Sequence, residues 1–316
     1  MRIAITGGGG FLGRRLAGLF LANGHTEQVV LADIADAAPL ADPRVSHLRV
    51  DITDPGAAAF VVEGADVVFH LAAVVSGQAE ADFDVGMRVN LDGTRLLLEA
   101  ARAGGRRPKF VFASSLAVFG PPLPPVITDE TAVHPQSSYG AQKAIGELLV
   151  ADYSRKGFVD GRVARLPTVC VRPGMPNAAA SSFVSGIIRE PLHGRDALCP
   201  VGTALELWLS SPRVAAANLM HAAWLSPEAL GGRRVINLPG ITVSVAEMIA
   251  TLERVAGREA SARIVFREDP AVSRIVSTWP ARFDAGRAIA LGFVRDPGFE
   301  SLVRDFIADE AAAAAR

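Results

Sequence analysis

TGGGGFLG, at Thr6–Gly13, follows a short apolar run and opens a segment with helical spacing of apolar residues. Gly7 allows a sharp turn, Gly10 allows the backbone to approach a pyrophosphate, and Gly13 allows a helix to pack closely on a strand. A helix that begins here would present free N–H groups and a positive end to the phosphates. The stretch therefore predicts a dinucleotide site, with cofactor contacts at Gly7, Gly10, Phe11, Leu12 and Gly13.

An acidic residue follows the second apolar run. Asp33 lies twenty residues beyond Gly13, directly after the predicted strand Gln28–Ala32. A carboxylate at this position accepts hydrogen bonds from the hydroxyls of an adenosine ribose and repels a 2′-phosphate. Arg14 and Arg15 are close in sequence, but they fall one turn into the helix. The sequence therefore favours NAD over NADP.

Apolar runs alternate with helical segments along the first two-thirds of the chain. Strands are predicted at Arg2–Thr6, Gln28–Ala32, His47–Val50, Asp66–Leu71, Lys109–Ser114 and Gly161–Leu166. Helices are predicted at Phe11–Asn23, Val85–Ala103, Ser137–Arg155 and Ser244–Ala256. The strand runs are continuously apolar, as in parallel sheets covered on both faces. This order predicts an α/β fold with a Rossmann-type, doubly wound parallel sheet.

We expect the cofactor domain over residues 1–170, with elements returning around 205–240, and a smaller, mainly substrate-binding region over 171–316.

Composition excludes several classes of protein. Among the 316 residues, 32 Lys and Arg stand against 33 Asp and Glu, so the basic excess typical of nucleic-acid binding is absent. Two cysteines cannot form a disulfide framework, and no apolar run reaches the ~20 residues of a membrane span. The chain starts without a signal peptide pattern, and its six histidines lack metal-ligand spacing. We therefore expect a cytoplasmic protein with no metal, nucleic-acid or membrane partner.

Lysine and tyrosine are rare in this chain, yet one of each lies on the same predicted helix, four residues apart. There are three lysines against 29 arginines, and two tyrosines against 15 phenylalanines. Tyr139 and Lys143 would share one helix face. A phenol has a pKa near ~10, and a neighbouring cation favours its deprotonated form. The pair therefore predicts a general base, whereas surface packing accounts for Tyr153 and Lys156.

These motifs follow one another in the order typical of a known family. The spacing G-x-x-G-x-x-G at Gly7–Gly13, together with Tyr139–Lys143, resembles the extended branch of the short-chain dehydrogenase/reductase family. The resemblance implies NAD-dependent hydride transfer, with Ser115 as the catalytic hydroxyl beside Tyr139 and Lys143, and Ser114 as the alternative. It also implies that the cofactor is contacted by Asp51, Ile52, Leu71, Ala72, Ala73, Asn90, Tyr139, Lys143 and Pro167.

Later motifs indicate the substrate. The combination of Arg165–Thr168, Arg172–Gly174, Ser181–Phe183 and Arg189–Leu192 resembles members that oxidise a four-carbon sugar acid, D-erythronate, at its 2-hydroxyl. Such a substrate needs hydroxyl partners and a cation for its carboxylate, and either Arg172 or Arg189 could supply the cation. The predicted substrate contacts are Ser76, Ser115, Tyr139, Arg172, Ser182 and Arg189.

Two other functions stay open at this point. A nucleotide-sugar epimerase of the same family would keep its NAD bound, although Leu116-Ala117 replaces the Asp-Glu expected of a dehydratase. A non-catalytic NAD-sensing protein is the second alternative, and it would not need Tyr139 and Lys143. The family resemblance also implies a homodimer that pairs the segments Val85–Ala103 and Ser137–Arg155.

Overall fold

The computed structural model of the chain describes residues 1–36 and 39–314. The strands of this part are β1 (Arg2–Thr6), β2 (Gln28–Asp33), β3 (Val45–Arg49), β4 (Val67–His70), β5 (Lys109–Ser115), β6 (Asp160–Leu166), β7 (Thr168–Val169), β8 (Ala197–Cys199), β9 (Glu206–Ser210), β10 (Val235–Asn237), β11 (Ile241–Ser244) and β12 (Ile264–Phe266).

Seven of these strands form one sheet in the order β10-β6-β5-β4-β1-β2-β3. Every neighbouring pair in it is parallel. The order reverses beside β1, so the carboxyl ends of β1 and β4 flank a crevice in which α/β proteins bind ligands. This arrangement confirms the predicted Rossmann-type fold, including the late return of β10 to the edge of the sheet.

The helices of the described chain are α1 (Phe11–Leu21), α2 (Pro55–Val62), α3 (Ser76–Ala81), α4 (Phe83–Gly86), α5 (Gly93–Gly104), α6 (Ser138–Arg155), α7 (Ser182–Leu192), α8 (Pro212–Trp224), α9 (Pro227–Leu230), α10 (Val245–Ala256), α11 (Arg258–Ser261), α12 (Pro270–Val276), α13 (Gly286–Ala290) and α14 (Phe299–Ala314). Several begin with a capping side chain followed by proline, which satisfies a free N–H group and presets the helical φ. Examples are Asp54 before α2, Ser211 before α8 and Asp269 before α12.

The segment predicted as a helix at Val85–Ala103 is helical throughout, but a π-helix at Met87–Asp92 stands between α4 and α5. Gly86 lies so close to α6 that a Cβ there would be 2.6 Å from Gln142 Nε2. The wider turn that follows directs Asn90 inward, where its side chain is 2% exposed. Helical segments of this kind are frequent at functional sites.

Successive side chains of a strand point to opposite faces of the sheet, and helices pack on both faces. Ile3 and Ile5 pack with α1 and α8, whereas Ala4 faces the layer of α2, α5 and α6. A third apolar cluster joins α7, α10 and α14 around β9 and β11. This cluster covers the carboxyl end of the sheet and encloses the crevice. No helix among residues 1–36 and 39–314 is long and apolar enough to cross a membrane.

Candidate active site

A cavity of about 690 Å³ opens at the carboxyl ends of β1, β4, β5 and β6. Its volume is in the range of small-molecule sites. Most of the predicted cofactor contacts line it, namely Gly7, Gly10, Phe11, Leu12, Gly13, Asp33, Asp51, Ile52, Leu71, Ala72, Ala73, Tyr139, Lys143 and Pro167.

The glycine loop packs too closely for side chains. Gly7 has a φ of +68°, and a Cβ on it would lie 2.8 Å from the backbone nitrogen of Ala72. A Cβ on Gly13 would lie 2.6 Å from the carbonyl oxygen of Gly7. The N–H of Gly10 donates to the same carbonyl at 3.1 Å. The bare backbone at the start of α1 therefore forms the cradle that a pyrophosphate requires.

Asp33 is held in place at the adenosine end of this cradle. Its carboxylate accepts hydrogen bonds from the N–H groups of Gly9, at 3.0 Å, and Ala35, at 3.1 Å. Arg15, which could have attracted a 2′-phosphate, pairs with Asp309 of α14. The residues present therefore fit an unphosphorylated dinucleotide.

A chain of hydrogen bonds positions the segment after β4. The Ala72 N–H donates to Thr6 Oγ1, which lies 2.7 Å from His70 Nδ1, and His70 Nε2 lies 2.8 Å from Thr94 Oγ1. Thr94 in turn donates to the carbonyl oxygen of Asn90 at 2.6 Å. This direction requires a proton on His70 Nε2. Burial, with the Lys143 charge, accordingly lowers the pKa of His70 to about 3.

Asn90 does not line the cavity, so its contact with the cofactor stays a prediction. Its Oδ1 accepts from the Val74 N–H at 2.7 Å, and its Nδ2 donates to the Val74 carbonyl at 3.0 Å. The same Nδ2 donates to Gln142 Oε1 at 2.7 Å. Because these bonds use both ends of the amide, Asn90 ties the cavity wall at Val74 to the helix that carries Tyr139.

Tyr139 and Lys143 face the cavity from α6. Lys143 Nζ donates to the Ala113 carbonyl at 2.8 Å and lies 5.7 Å from the Tyr139 ring centroid. Burial raises the pKa of the Tyr139 phenol to about 12, while a hydrogen bond with Ser115 and the charge of Arg172 act to lower it. Burial also lowers the pKa of Lys143 to about 8, and the nearby Glu147 carboxylate opposes that shift. Ser115 and Arg172 thus favour the phenolate, and activation of the phenol by the Lys143 charge stays a prediction.

The two candidate serines have different partners. Ser115 lines the cavity with Tyr139 and acts to lower the pKa of its phenol, and its Oγ accepts from the Ala117 N–H at 3.1 Å. Ser114 donates its hydroxyl to Glu147, whose carboxylate also receives Arg165 Nη2 at 2.6 Å and Nε at 2.9 Å. Ser115 is therefore the hydroxyl available beside the phenol, and Ser114 belongs to a buried ionic network behind it.

Arg172 lies in the same cavity and Arg189 does not. Arg172 Nη2 donates to the Ser181 carbonyl at 2.9 Å and to Ser181 Oγ at 3.1 Å. Arg189 is 2% exposed, pairs with Glu190 and donates to the Arg172 carbonyl at 2.9 Å. Arg189 thus supports Arg172 from behind, because its own guanidinium is buried and engaged.

Of the serine hydroxyl groups predicted to bind the substrate, not all line the cavity. Ser76 lines the cavity, whereas Ser182 faces away and accepts the Asn177 N–H at 3.2 Å. Sequence reasoning missed Trp279, which reaches the same cavity from the segment after α12. No spacing links Trp279 to the glycine loop, so its place depends on the packing of the C-terminal region.

Comparison with known proteins places the chain in a family. Residues 3–236 match the profile of the NAD dependent epimerase/dehydratase family. The chain belongs to this family. Membership confirms NAD as the cofactor expected from the glycine loop and Asp33.

Two relatives are similar over nearly their whole length. D-erythronate dehydrogenase of Cupriavidus necator is 53% identical over 319 residues, with 98% of each chain covered. D-erythronate dehydrogenase of Haemophilus influenzae is 49% identical, with 97% of this chain and 99% of the relative covered.

Solved structures share the architecture. A protein described as a nucleoside-diphosphate-sugar epimerase from Agrobacterium tumefaciens has a TM-score of 0.92 and 45% identity, covering 99% of this chain and 95% of its own. An L-threonine dehydrogenase from Cupriavidus necator in its holo form has a TM-score of 0.88 over 98% of this chain and 99% of its own. At 24% identity, the second likeness shows the fold alone.

Proposed function

We propose that this protein is an NAD-dependent dehydrogenase that oxidises D-erythronate at its 2-hydroxyl to 2-oxo-D-erythronate. The observation that carries the proposal is Arg172, a guanidinium in the same cavity as Tyr139 and close enough for its charge to act on the phenol. A 2-hydroxy acid has its carboxylate on the carbon that is oxidised. One cation beside the base therefore suits this substrate class. The names of the two similar dehydrogenases support the same substrate.

The chain's own groups account for the movement of the proton. Tyr139 Oη takes the proton from the substrate hydroxyl, and Ser115 Oγ orients the substrate oxygen by a hydrogen bond. Arg172 binds the carboxylate and favours the phenolate form of Tyr139. Lys143 adds a positive charge behind the ring. NAD, held by the glycine loop and Asp33, supplies the hydride acceptor when it is bound.

The charges next to the site bear on the alternative function, a nucleotide-sugar epimerase. A nucleotide sugar needs room and positive charge for its diphosphate beyond the reacting sugar. The space next to the first cavity is a second cavity of about 740 Å³. Among its described lining residues the charged side chains are all acidic, namely Glu80, Glu190, Asp196 and Asp269. Glu190 is itself paired with Arg189 and Arg195, so the described lining offers a diphosphate no free basic side chain, which favours the small acid over the nucleotide sugar.

The decisive experiment incubates the protein with NAD and D-erythronate and follows free NADH. A dehydrogenase produces NADH far beyond the amount of enzyme, whereas an epimerase that retains its cofactor does not. Predominant activity on nucleotide sugars would overturn the proposal.

Two tyrosine variants test the assignment of the base. Tyr139→Phe should lose at least ~100-fold in kcat, the scale of general base catalysis, and still bind NAD in calorimetry. Tyr153→Phe is the matched control, because Tyr153 bonds to Glu99 outside the cavity, and it should keep full turnover. Undiminished turnover by Tyr139→Phe would remove Tyr139 as the base.

We also propose a homodimer that pairs α5 and α6 with those of a second copy. Leu148 is 70% exposed and Ile145 is 39% exposed on α6, an apolar surface that a partner helix would cover. Light scattering should give the mass of a dimer for the wild-type protein and of a monomer for Leu148→Arg. A monomeric wild-type protein would refute this arrangement.

A further inference from the structure

The cavity of the active site and the second cavity share a wall. Asn177 and Ala179 line both cavities. Consecutive residues on two segments face opposite sides, since Ser76 lines the first cavity and Gly77 the second, and Ser181 lines the first and Ser182 the second. We call these two segments, Ser76-Gly77 and Asn177–Ser182, the partition.

Three hydrogen bonds connect the segments of the partition. Ser76 Oγ accepts from the Ala180 N–H at 3.1 Å, which joins its two segments. Within the longer segment, Ser182 Oγ accepts from the Asn177 N–H at 3.2 Å, and Asn177 Oδ1 accepts from the Ala179 N–H at 3.1 Å. The segments therefore form one layer, a single backbone thick, between the two spaces.

Gly77 permits an unusually close approach in this layer. A Cβ on Gly77 would lie 2.3 Å from the carbonyl oxygen of Ala178. Real Cβ atoms do not approach an oxygen so closely, so any side chain at this position forces the Ala178 carbonyl to move. The partition can therefore keep its present position only because residue 77 is a glycine.

The partition meets the active site at its substrate end. Ser181 receives Arg172 Nη2 at its carbonyl and its hydroxyl, at 2.9 and 3.1 Å. The charge of Arg172 in turn acts on Tyr139. The first cavity, about 690 Å³, has the volume that one drug-sized ligand takes, and it must hold a dinucleotide as well as the substrate. The dinucleotide and the substrate must therefore share the space in front of the partition.

We propose that the partition determines the length of the substrate. A four-carbon acid ends in front of it, and the additional carbons of a five- or six-carbon acid would have to cross into the second cavity. Displacing or thinning the partition joins the two cavities and admits longer acids. This inference rests on the proposed function, because it assigns the chain-length selectivity of that same reaction.

The test compares sugar acids of four, five and six carbons by NADH formation, for the wild-type protein and two variants. Gly77→Ala pushes the Ala178 carbonyl away, and Asn177→Gly removes the side chain that lines both cavities. For each variant we expect the six-carbon to four-carbon ratio of kcat/KM to rise at least about tenfold. Leu198→Ala is the control, because Leu198 lines the second cavity from β8, and it should keep the wild-type ratio.

Melting curves and NAD titrations establish that each variant is folded and binds cofactor. Wild-type ratios in both folded variants would overturn the partition proposal and leave the proposed function intact. Equal wild-type turnover of four- and six-carbon acids would overturn it as well. Wild-type turnover of nucleotide sugars in place of sugar acids would refute both, since such substrates would have to extend past the partition.

Discussion

Removing the carboxylate of Glu147 should destabilise the protein more than any exposed charge does. Glu147 is 4% exposed and receives two hydrogen bonds from Arg165, which is 9% exposed. It also accepts the Ser114 hydroxyl. Glu147→Ala leaves the Arg165 guanidinium buried without its counter-charge, and the measured cost of breaking a buried pair in this way is ~3–5 kcal/mol.

The remaining contacts of Arg165 set the size of the effect. Its guanidinium lies 4.7 Å from the Phe119 ring centroid, and its Nη1 reaches Asn237 Oδ1 at 3.4 Å. These contacts do not neutralise the charge, so the loss should stay near ~3 kcal/mol or above. Removing both charges in Glu147→Ala/Arg165→Met should cost less than the sum of Glu147→Ala and Arg165→Met, with a coupling energy of ~2–3 kcal/mol.

Equilibrium urea unfolding measures both quantities, from the midpoint and slope of each curve. Asp152→Ala is a control on the same helix, because the pair of Asp152 with Arg155 is 59% and 71% exposed. It should change the free energy of unfolding by no more than ~0.5 kcal/mol. The reasoning is refuted if Glu147→Ala costs no more than Asp152→Ala, or if the double variant is simply additive.

Three further predictions concern the cofactor and the catalytic lysine. Gly13→Ala should weaken NAD binding at least ~10-fold in calorimetry, because its Cβ would lie 2.6 Å from the Gly7 carbonyl oxygen. Asp33→Asn should raise kcat/KM with NADP relative to NAD, because the repulsion of a 2′-phosphate is lost; an unchanged ratio would contradict the role of Asp33. Burial lowers the pKa of Lys143 from 10.5 to about 8, so its cation destabilises the folded state below pH 8, and this penalty fades as the pH rises from 8 towards 10.5. Melting temperatures should therefore show wild-type stability gaining on Lys143→Met over that window, and parallel curves would count against a buried cation.

Much of the fold follows from local patterns. Six of the seven sheet strands are predicted from largely apolar runs bounded by turn residues, and their structural bounds differ from the predicted ones by at most two residues at either end. The glycine loop, Asp33 and the pair of Tyr139 with Lys143 depend on spacings within one strand–helix unit. Such spacings are visible in a sequence because the backbone geometry of a single element fixes which residues share a face.

The errors lie where distant segments decide the conformation. The π-helical turn inside the helix predicted at Val85–Ala103 lies where Gly86 meets Gln142 of α6 and where Asn90 is bound by Val74 after β4. Neither contact leaves a signal in the helical spacing of apolar residues. The sequence suggests Arg189 as a ligand for a carboxylate, but on α7 its side chain is buried and donates to the backbone carbonyl of Arg172.

The sequence by itself determined the parallel sheet, the dinucleotide cradle and the use of NAD, and it placed Tyr139 and Lys143 on one face of a helix. Only the tertiary structure decided that the Ser114 hydroxyl is bonded to Glu147, that Arg172 rather than Arg189 lines the cavity, and that the partition separates two cavities. The physical reason is that each of these outcomes depends on the direction of a side chain relative to segments far along the chain. Ser76 and Ala180, 104 residues apart, become hydrogen-bonded neighbours only when the C-terminal region packs over the sheet.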